Sequence, residues 1–220
     1  MVHIDELYLI DGNGTVPSIL SMWYPGQEAG DALVATLLGE NVPAGKIPYT
    51  WYSRGFAQQR GVIYNNDLRS GQGITYRYWT GAKPLLEYGH GLSYTNFSYE
   101  WAEPPLQSVS TDVLAAGNLS LKIKVTNTGT AAGAAVVLAF VKSAGKGCPI
   151  KSLAGFDRVH LAVGASATVE IEASPREIAC VDEEGKVMLN PGTVTLEAGD
   201  IFAPVTANTA VTGVAVQLPE

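Results

Sequence analysis

Glu28 and Asp31, three positions apart in a 220-residue chain, are the residues whose types and spacing most readily invite chemistry. At the start of a helix they would share one side within several ångströms, and a carboxylate pair is the minimum equipment for general acid/base work. Acidic charge in a first turn also complements the helix dipole, and that ordinary role is the preferred one for both. Glu183 and Glu184, followed by Gly185, read as a solvated hairpin turn. Just ahead of the first pair, Trp23 and Tyr24 stand at the carboxyl end of an expected strand, where α/β folds place ligands. Trp23, Tyr24 and Glu28 are therefore candidate rim residues for a pocket, with core packing of Trp23 as the open alternative. His3, His90 and His160 are far apart and lack Cys or Asp at ligand spacing, so no metal site is expected. Neither a P-loop nor a dinucleotide fingerprint nor a nucleophile elbow occurs, so no cofactor is implied.

These side chains need elements to hold them. Ser18 to Trp23 is an apolar, strand-like run, Pro25-Gly26 makes a corner, and Ala29 to Leu38 has helix formers with Gly39 at the stop. Asn41 to Tyr52 then gives a turn and a short strand around Ile47 to Trp51, completing one βαβ unit. A single such unit cannot bury both faces of a parallel sheet, so residues 1–52 are expected to be the end of a larger α/β domain. Residues 53–91 carry Gly, Arg, Asn and aromatics with no sustained period and read as an irregular connecting segment anchored by its rings. Residues 92–220 are β in pattern. Leu119, Leu121, Ile123 and Val125 alternate with polar residues, as do Ala167, Val169 and Ile171, while Val136 to Val141 is apolar on both sides like a central strand. Further strands are expected at Ile178 to Val181, Lys186 to Leu189, Thr193 to Ala198 and Val211 to Leu218. About seven short strands in about 120 residues indicate an immunoglobulin-like sandwich of the fibronectin type III kind. The fold class is thus an α/β remnant followed by an all-β sandwich.

Composition narrows the partners. The chain is 46% hydrophobic and 16% charged, too apolar for a disordered protein. Its formal charge is -7 and its basic residues are scattered, which excludes a nucleic-acid interface. No stretch approaches the apolar length of a membrane span, and Met1 to Thr15 lacks the pattern of a signal peptide. Cys148 and Cys180 admit either one disulfide or two buried thiols, with the thiols preferred. Asn13, Asn96 and Asn118 each head an N-glycosylation sequon.

Three strings together resemble the end of family 3 glycoside hydrolases, in particular the β-glucosidase and plant-type β-xylosidase branches. The first runs from Trp23-Tyr24-Pro25-Gly26-Gln27-Glu28-Ala29-Gly30 to Pro43-Ala44-Gly45-Lys46-Ile47-Pro48-Tyr49-Thr50-Trp51. The second is Thr75-Tyr76-Arg77-Tyr78-Trp79 followed by Glu87-Tyr88-Gly89-His90-Gly91-Leu92-Ser93-Tyr94-Thr95, in which Glu87 replaces the usual Pro or Phe. The third is Val125-Thr126-Asn127-Thr128-Gly129 with Leu153-Ala154-Gly155-Phe156-Asp157-Arg158-Val159. The resemblance implies a parent enzyme that removes terminal glucose or xylose from oligosaccharides and is secreted, in the cell wall or vacuolar. Retaining hydrolysis requires a nucleophile and an acid/base carboxyl about 5 Å apart. In the resembled family both lie upstream of the matched strings, so no catalytic residue is assigned to this chain. Its expected role is a scaffold and pocket rim, meeting oligosaccharide only together with a catalytic domain. A stand-alone carbohydrate- or protein-binding module and a truncated gene product are the alternatives.

Overall fold

The computed structural model describes residues 18–53, 55–56, 65–104, 108–143, 145, 147–190, 192–199, 201–208 and 214–215. Asn13 and the ends of the expected strand Val211 to Leu218 lie outside them. Helix α1 spans Ala29–Leu37, with Asp31 in its first turn and Glu28 at the N-cap making no side-chain capping bond. The flanking strands of the expected βαβ unit do not form. Ser18 to Trp23 has no ladder partner among the described residues, and Ile47 to Trp51 makes only an isolated bridge from Trp51 to Leu86. A strand needs a neighbouring strand to satisfy its backbone. The Ile47 to Trp51 stretch borrows one from the connecting segment, through Ile47 N–H to His90 O and Trp51 N–H to Leu86 O at 2.8 and 2.9 Å. Among the described residues the connecting segment is otherwise largely irregular, with a helical turn, α2, at Thr75–Tyr78.

The sandwich is assembled from β1 (Phe97–Trp101), β2 (Ser108–Ser110), α3 (Thr111–Ala116), β3 (Leu119–Asn127), β4 (Gly133–Lys142), β5 (Ser152–Leu161), β6 (Ser166–Ala173), α4 (Pro175–Ile178), β7 (Cys180–Val181), β8 (Val187–Leu189), β9 (Gly192–Ala198), β10 (Ile201–Asn208) and β11 (Val214–Ala215). One sheet has the order β1-β3-β6, the facing sheet β2-β10-β9-β4-β5, and a small third sheet β11-β8-β7. Leu121, Ile123, Val125, Val169 and Ile171 from the first sheet meet Val137, Ala139, Val141, Val194 and Leu196 from the second in one core. Each such side chain is worth roughly 1.5–3 kcal/mol of burial.

The alternation in β3 emerges as expected, with every second residue buried. On the outer face of that sheet, Lys124 pairs with Glu100 and Lys122 with Glu103, and Ser120 donates to Glu170. Strand β4 is buried on both sides for two different reasons. One side faces the core; the other carries the connecting segment, whose Tyr76 and Tyr88 rings lie 5.9 and 6.0 Å from Phe140.

Three expectations need correction. Ile178 to Val181 is not one strand: Pro175 at the start of a helical turn takes the chain through α4 to Ile178, and only Cys180–Val181 pairs with β8. Strand β10 was hidden by Pro204, which lacks an N–H. Pro204 opposes Thr195 of β9, and the parallel partner β2 begins only at Thr206, so the missing donor falls where β2 does not reach. Finally, Cys148 and Cys180 are joined in a disulfide, with Cα atoms 4.9 Å apart. The loop between β4 and β5 brings Cys148 against the start of β7, a closeness that separation in sequence does not reveal.

Candidate functional site

The candidate rim residues Trp23, Tyr24 and Glu28 sit before and at the start of α1. Trp23 adopts a left-handed backbone with φ 54°, which costs a non-glycine residue free energy and requires surrounding structure to hold it. Its ring packs edge-on to Tyr49 at 5.4 Å, and Tyr49 stacks on Trp51 at 5.4 Å. Trp23 is nevertheless 57% exposed and Tyr24 92% exposed, so among the described residues neither is packed into the core. Glu28 is exposed and accepts only from Gln27 Nε2–H at 3.4 Å. Asp31 is exposed as well, and no contact joins it to Glu28. Asp31 stands as a first-turn acid beside the helix dipole, whereas Glu28 is an exposed N-cap residue whose side chain makes no capping bond.

Beside the Trp23–Tyr49–Trp51 ladder lies a cleft of about 470 Å³ that sequence reasoning did not anticipate. Its walls include Tyr49, Thr50, Tyr52 and Phe56 on one side and Tyr76 and Tyr88 on the other. Trp23, Tyr24 and Glu28 are not part of its lining, which contains no carboxylate or histidine. Tyr49 is the hinge between ladder and cleft. The rings are held by each other: Tyr52 stacks on Phe56 at 4.0 Å with Trp79 edge-on, and Tyr76 stacks on Tyr88 at 4.2 Å. Burial raises the Tyr49 and Tyr88 phenols above their usual 10.0, with the neighbouring Tyr76 adding to the second. The Thr50 hydroxyl and the Trp51 indole N–H are buried with no hydrogen-bond partner. The only sequence signal for the cleft was the density of aromatics.

The motif residues that are not chemical turn out to be joints. Lys46 Nζ donates to Gly91 O at 2.7 Å, and its burial lowers its pKa below 10.5. A Cβ on Gly91 would fall 2.2 Å from Gly45 O, so the two glycine-bearing strings can meet this closely only because position 91 has no side chain. Tyr94 donates its phenol to Thr36 O at the end of α1, 2.9 Å away. Ile150 N–H donates to Arg77 O at 2.6 Å, Leu153 N–H to the Tyr76 phenol oxygen at 3.3 Å, and Arg69 Nη2 to Val181 O at 3.4 Å. Arg69 and Arg77 both lie over the Tyr78 ring, at 5.3 and 6.0 Å. Glu87 is exposed, so its departure from the family string leaves the turn intact, and His90 occupies that turn with its N–H on Glu87 O.

A largely buried carboxylate lies elsewhere. Glu197, on β9, is 14% exposed and pairs with Lys142 at 2.8 Å and Lys151 at 3.5 Å. The two lysines hold its charge in place, Lys142 from β4 and Lys151 from the residue before β5, which suits a structural tie. Among the described residues no group of three or more His, Cys, Asp or Glu could hold a metal ion. No helix there is long and apolar enough to cross a membrane.

Comparison with known proteins agrees with these joints. Residues 2–94 match the glycosyl hydrolase family 3 C-terminal domain, and residues 135–200 match a fibronectin type III-like domain. A β-glucosidase of Rhizobium radiobacter is 33% identical over 83% of this chain and 24% of its own length. A probable exo-1,4-β-xylosidase of Aspergillus fumigatus is 33% identical over 96% of this chain and 29% of its own length. Among solved structures, a family 3 exo-β-xylosidase in complex with a xylobiose aziridine probe superposes with a TM-score of 0.80 at 26% identity, over 90% of this chain and 28% of that one. A β-glucosidase from Kluyveromyces marxianus gives a TM-score of 0.72 at 27% identity, over 88% and 24%. The chain thus spans about a quarter of the length of these relatives. With both domains matched in order and the joints between them in place, the chain belongs to glycoside hydrolase family 3, carrying its C-terminal domain joined to a fibronectin type III-like domain.

Proposed function

We propose that this chain is the non-catalytic C-terminal portion of an exo-acting β-glycosidase, a β-xylosidase or β-glucosidase acting on oligosaccharides. Its work is to hold a catalytic region and to lend Trp23, Tyr24 and Glu28 to the pocket rim. The observation that carries this is the surface of α1. The helix is apolar around much of its circumference, and Val34, Leu37 and Leu38 are 52%, 64% and 70% exposed. Ile19, Leu20, Trp23 and Tyr24 are exposed just before it. A helix of that composition belongs in a buried setting, and apolar surface of this kind marks an interaction face. Domains 1–52, 53–91 and 92–220 then act as docking piece, strap and buttress, in a parent that is secreted, in the cell wall or vacuolar.

The purified 220-residue chain is expected to turn over neither an aryl β-glucoside nor an aryl β-xyloside. Turnover that stays with the protein through purification and disappears in Glu28→Gln would overturn the proposal. The aromatic cleft favours a second reading, a sugar-binding module, because pyranose faces stack on exposed rings. Titration with xylo- and gluco-oligosaccharides separates the two: the scaffold reading expects flat Trp fluorescence at millimolar sugar, and a saturable change favours the module.

A further inference from the structure

We propose that Asn96 is an N-glycan acceptor, in a chain whose disulfide ties its folding to an oxidising, secretory-type compartment. Two observations of different kind carry this. The first is the Cys148–Cys180 bridge, which links two segments 32 residues apart. Making it removes two electrons and two protons from the thiols, which pass to a disulfide-bearing oxidant of the compartment, and reducing compartments hold such pairs open. The second is the Asn96-Phe97-Ser98 sequon and its placement.

Asn96 is exposed, in the last loop position before β1, and among the described residues its side-chain amide has no hydrogen bond. Its backbone is fixed by Thr128 N–H donating to its carbonyl at 2.9 Å. Phe97 packs against the core and Ser98 is half-buried in the β1–β3 ladder opposite Thr126. The triplet is therefore reachable as a whole only before β1 docks, and afterwards Asn96 alone stays in solvent. In the transfer, Nδ2 bonds to the anomeric carbon of a lipid-diphosphate-linked oligosaccharide. The carbon–oxygen bond to the diphosphate breaks, the diphosphate leaves and one amide proton is lost.

The other sequon within the described residues is engaged differently. Asn118 Nδ2 donates to Glu172 Oε2 at 2.8 Å and the Ser120 hydroxyl donates to Glu170 Oε1 at 2.6 Å, so both ends of that triplet serve the β3–β6 pairing. A glycan at Asn96 also has a physical use. Strand β1 is the last in its sheet and pairs only with β3 among the described residues, leaving a free edge of the kind that recruits other strands. A bulky hydrophilic group at its head covers that edge.

The test is peptide mapping of the protein isolated from its source organism, after peptide-N-glycosidase, which leaves Asp where a glycosylated Asn stood. Position 96 is expected to read as Asp, and the Cys148 and Cys180 peptides to separate only on reduction. An unmodified Asn96 overturns the proposal, as does a glycan confined to Asn118. As a second measurement, Asn96→Gln expressed through a eukaryotic secretory route is expected to lose one glycan step in electrophoretic mobility. Loss of that step in Asn118→Gln instead would also overturn it. Neither readout depends on any hydrolase activity, so failure here leaves the scaffold reading standing.

Discussion

Asn127, at the end of β3, is wholly buried and yet leaves no polar capacity unused. Its amide donates to Ala131 O and Leu161 O, while its oxygen accepts from the Thr95 hydroxyl and from Gly129 N–H. Gly129 has to be glycine, because a Cβ there would stand 2.2 Å from Thr95 Oγ1. Truncation in Asn127→Ala strands several buried donors and acceptors at once. We expect a loss of about 3 kcal/mol in urea unfolding with an unchanged slope; a loss under about 0.5 kcal/mol would refute the network. Tyr88 offers a prediction in pH. Its phenol is raised above 10.0 by burial and by Tyr76, so the folded state holds that proton more tightly than the unfolded one. Stability from this group is present below pH 10.0 and is lost as pH rises through the folded value. Tyr88→Phe is expected to flatten the alkaline fall in melting temperature, and an identical profile in wild type and variant would contradict this. The Val125 to Gly129 string was visible in the sequence as a strand and turn, but its closure was not: Asn127 meets partners 32 and 34 residues away.

Among the elements, the loop between β4 and β5 matters most for how the two domains are joined. It carries Cys148 to the disulfide and hands Ile150 to α2, which Leu153 at the start of β5 also meets, while β7 on the other side of the bridge receives Arg69. The bridge closes a separation of 32 residues, which corresponds to roughly 3 to 4 kcal/mol in a chain-entropy account. Reduction, or Cys148→Ala with Cys180→Ala, is expected to lower stability by about that amount and to free the strap from the sandwich. Tryptic cleavage after Arg69 and Arg77 should then quicken about tenfold, equivalent to about 1.4 kcal/mol of lost local protection. Unchanged cleavage at both arginines in the reduced protein would refute the latch. Elements with a clean period were legible beforehand: α1, β3, β6 and β9. Those missed had local chemistry that masks the period or uses none. Pro204 disguised β10, and α3 is a single short helix identified only by Ser110 Oγ accepting Val113 N–H at its cap. The βαβ unit failed in a different way, since its strands depend on neighbours the described residues do not include.

For the whole molecule the chain divides into a half built round a closed apolar core and a half without one. The sandwich has a closed core, a charged outer face and a latched strap. Residues 18–52 have one helix with Val34, Leu37 and Leu38 in solvent, buried orphans at Thr50 and Trp51, and a strained Trp23. The order of the family strings made the family and the two-part architecture legible from sequence. The candidate rim residues are a different matter, because a pocket bordered by more than one region is not encoded by either alone. Tyr94→Phe removes the phenol's bond to Thr36 O, a side-chain tie from the approach to the sandwich onto α1, and we expect about 1 kcal/mol of local rather than global destabilisation. The central claim is that α1 needs a covering partner and the sandwich does not. Native-state hydrogen exchange of the isolated chain tests it most directly. The account predicts strong protection through β3, β4, β6 and β9 together with near-unprotected amides from Ala32 to Leu38; protection of those helix amides equal to that of β3 would contradict it.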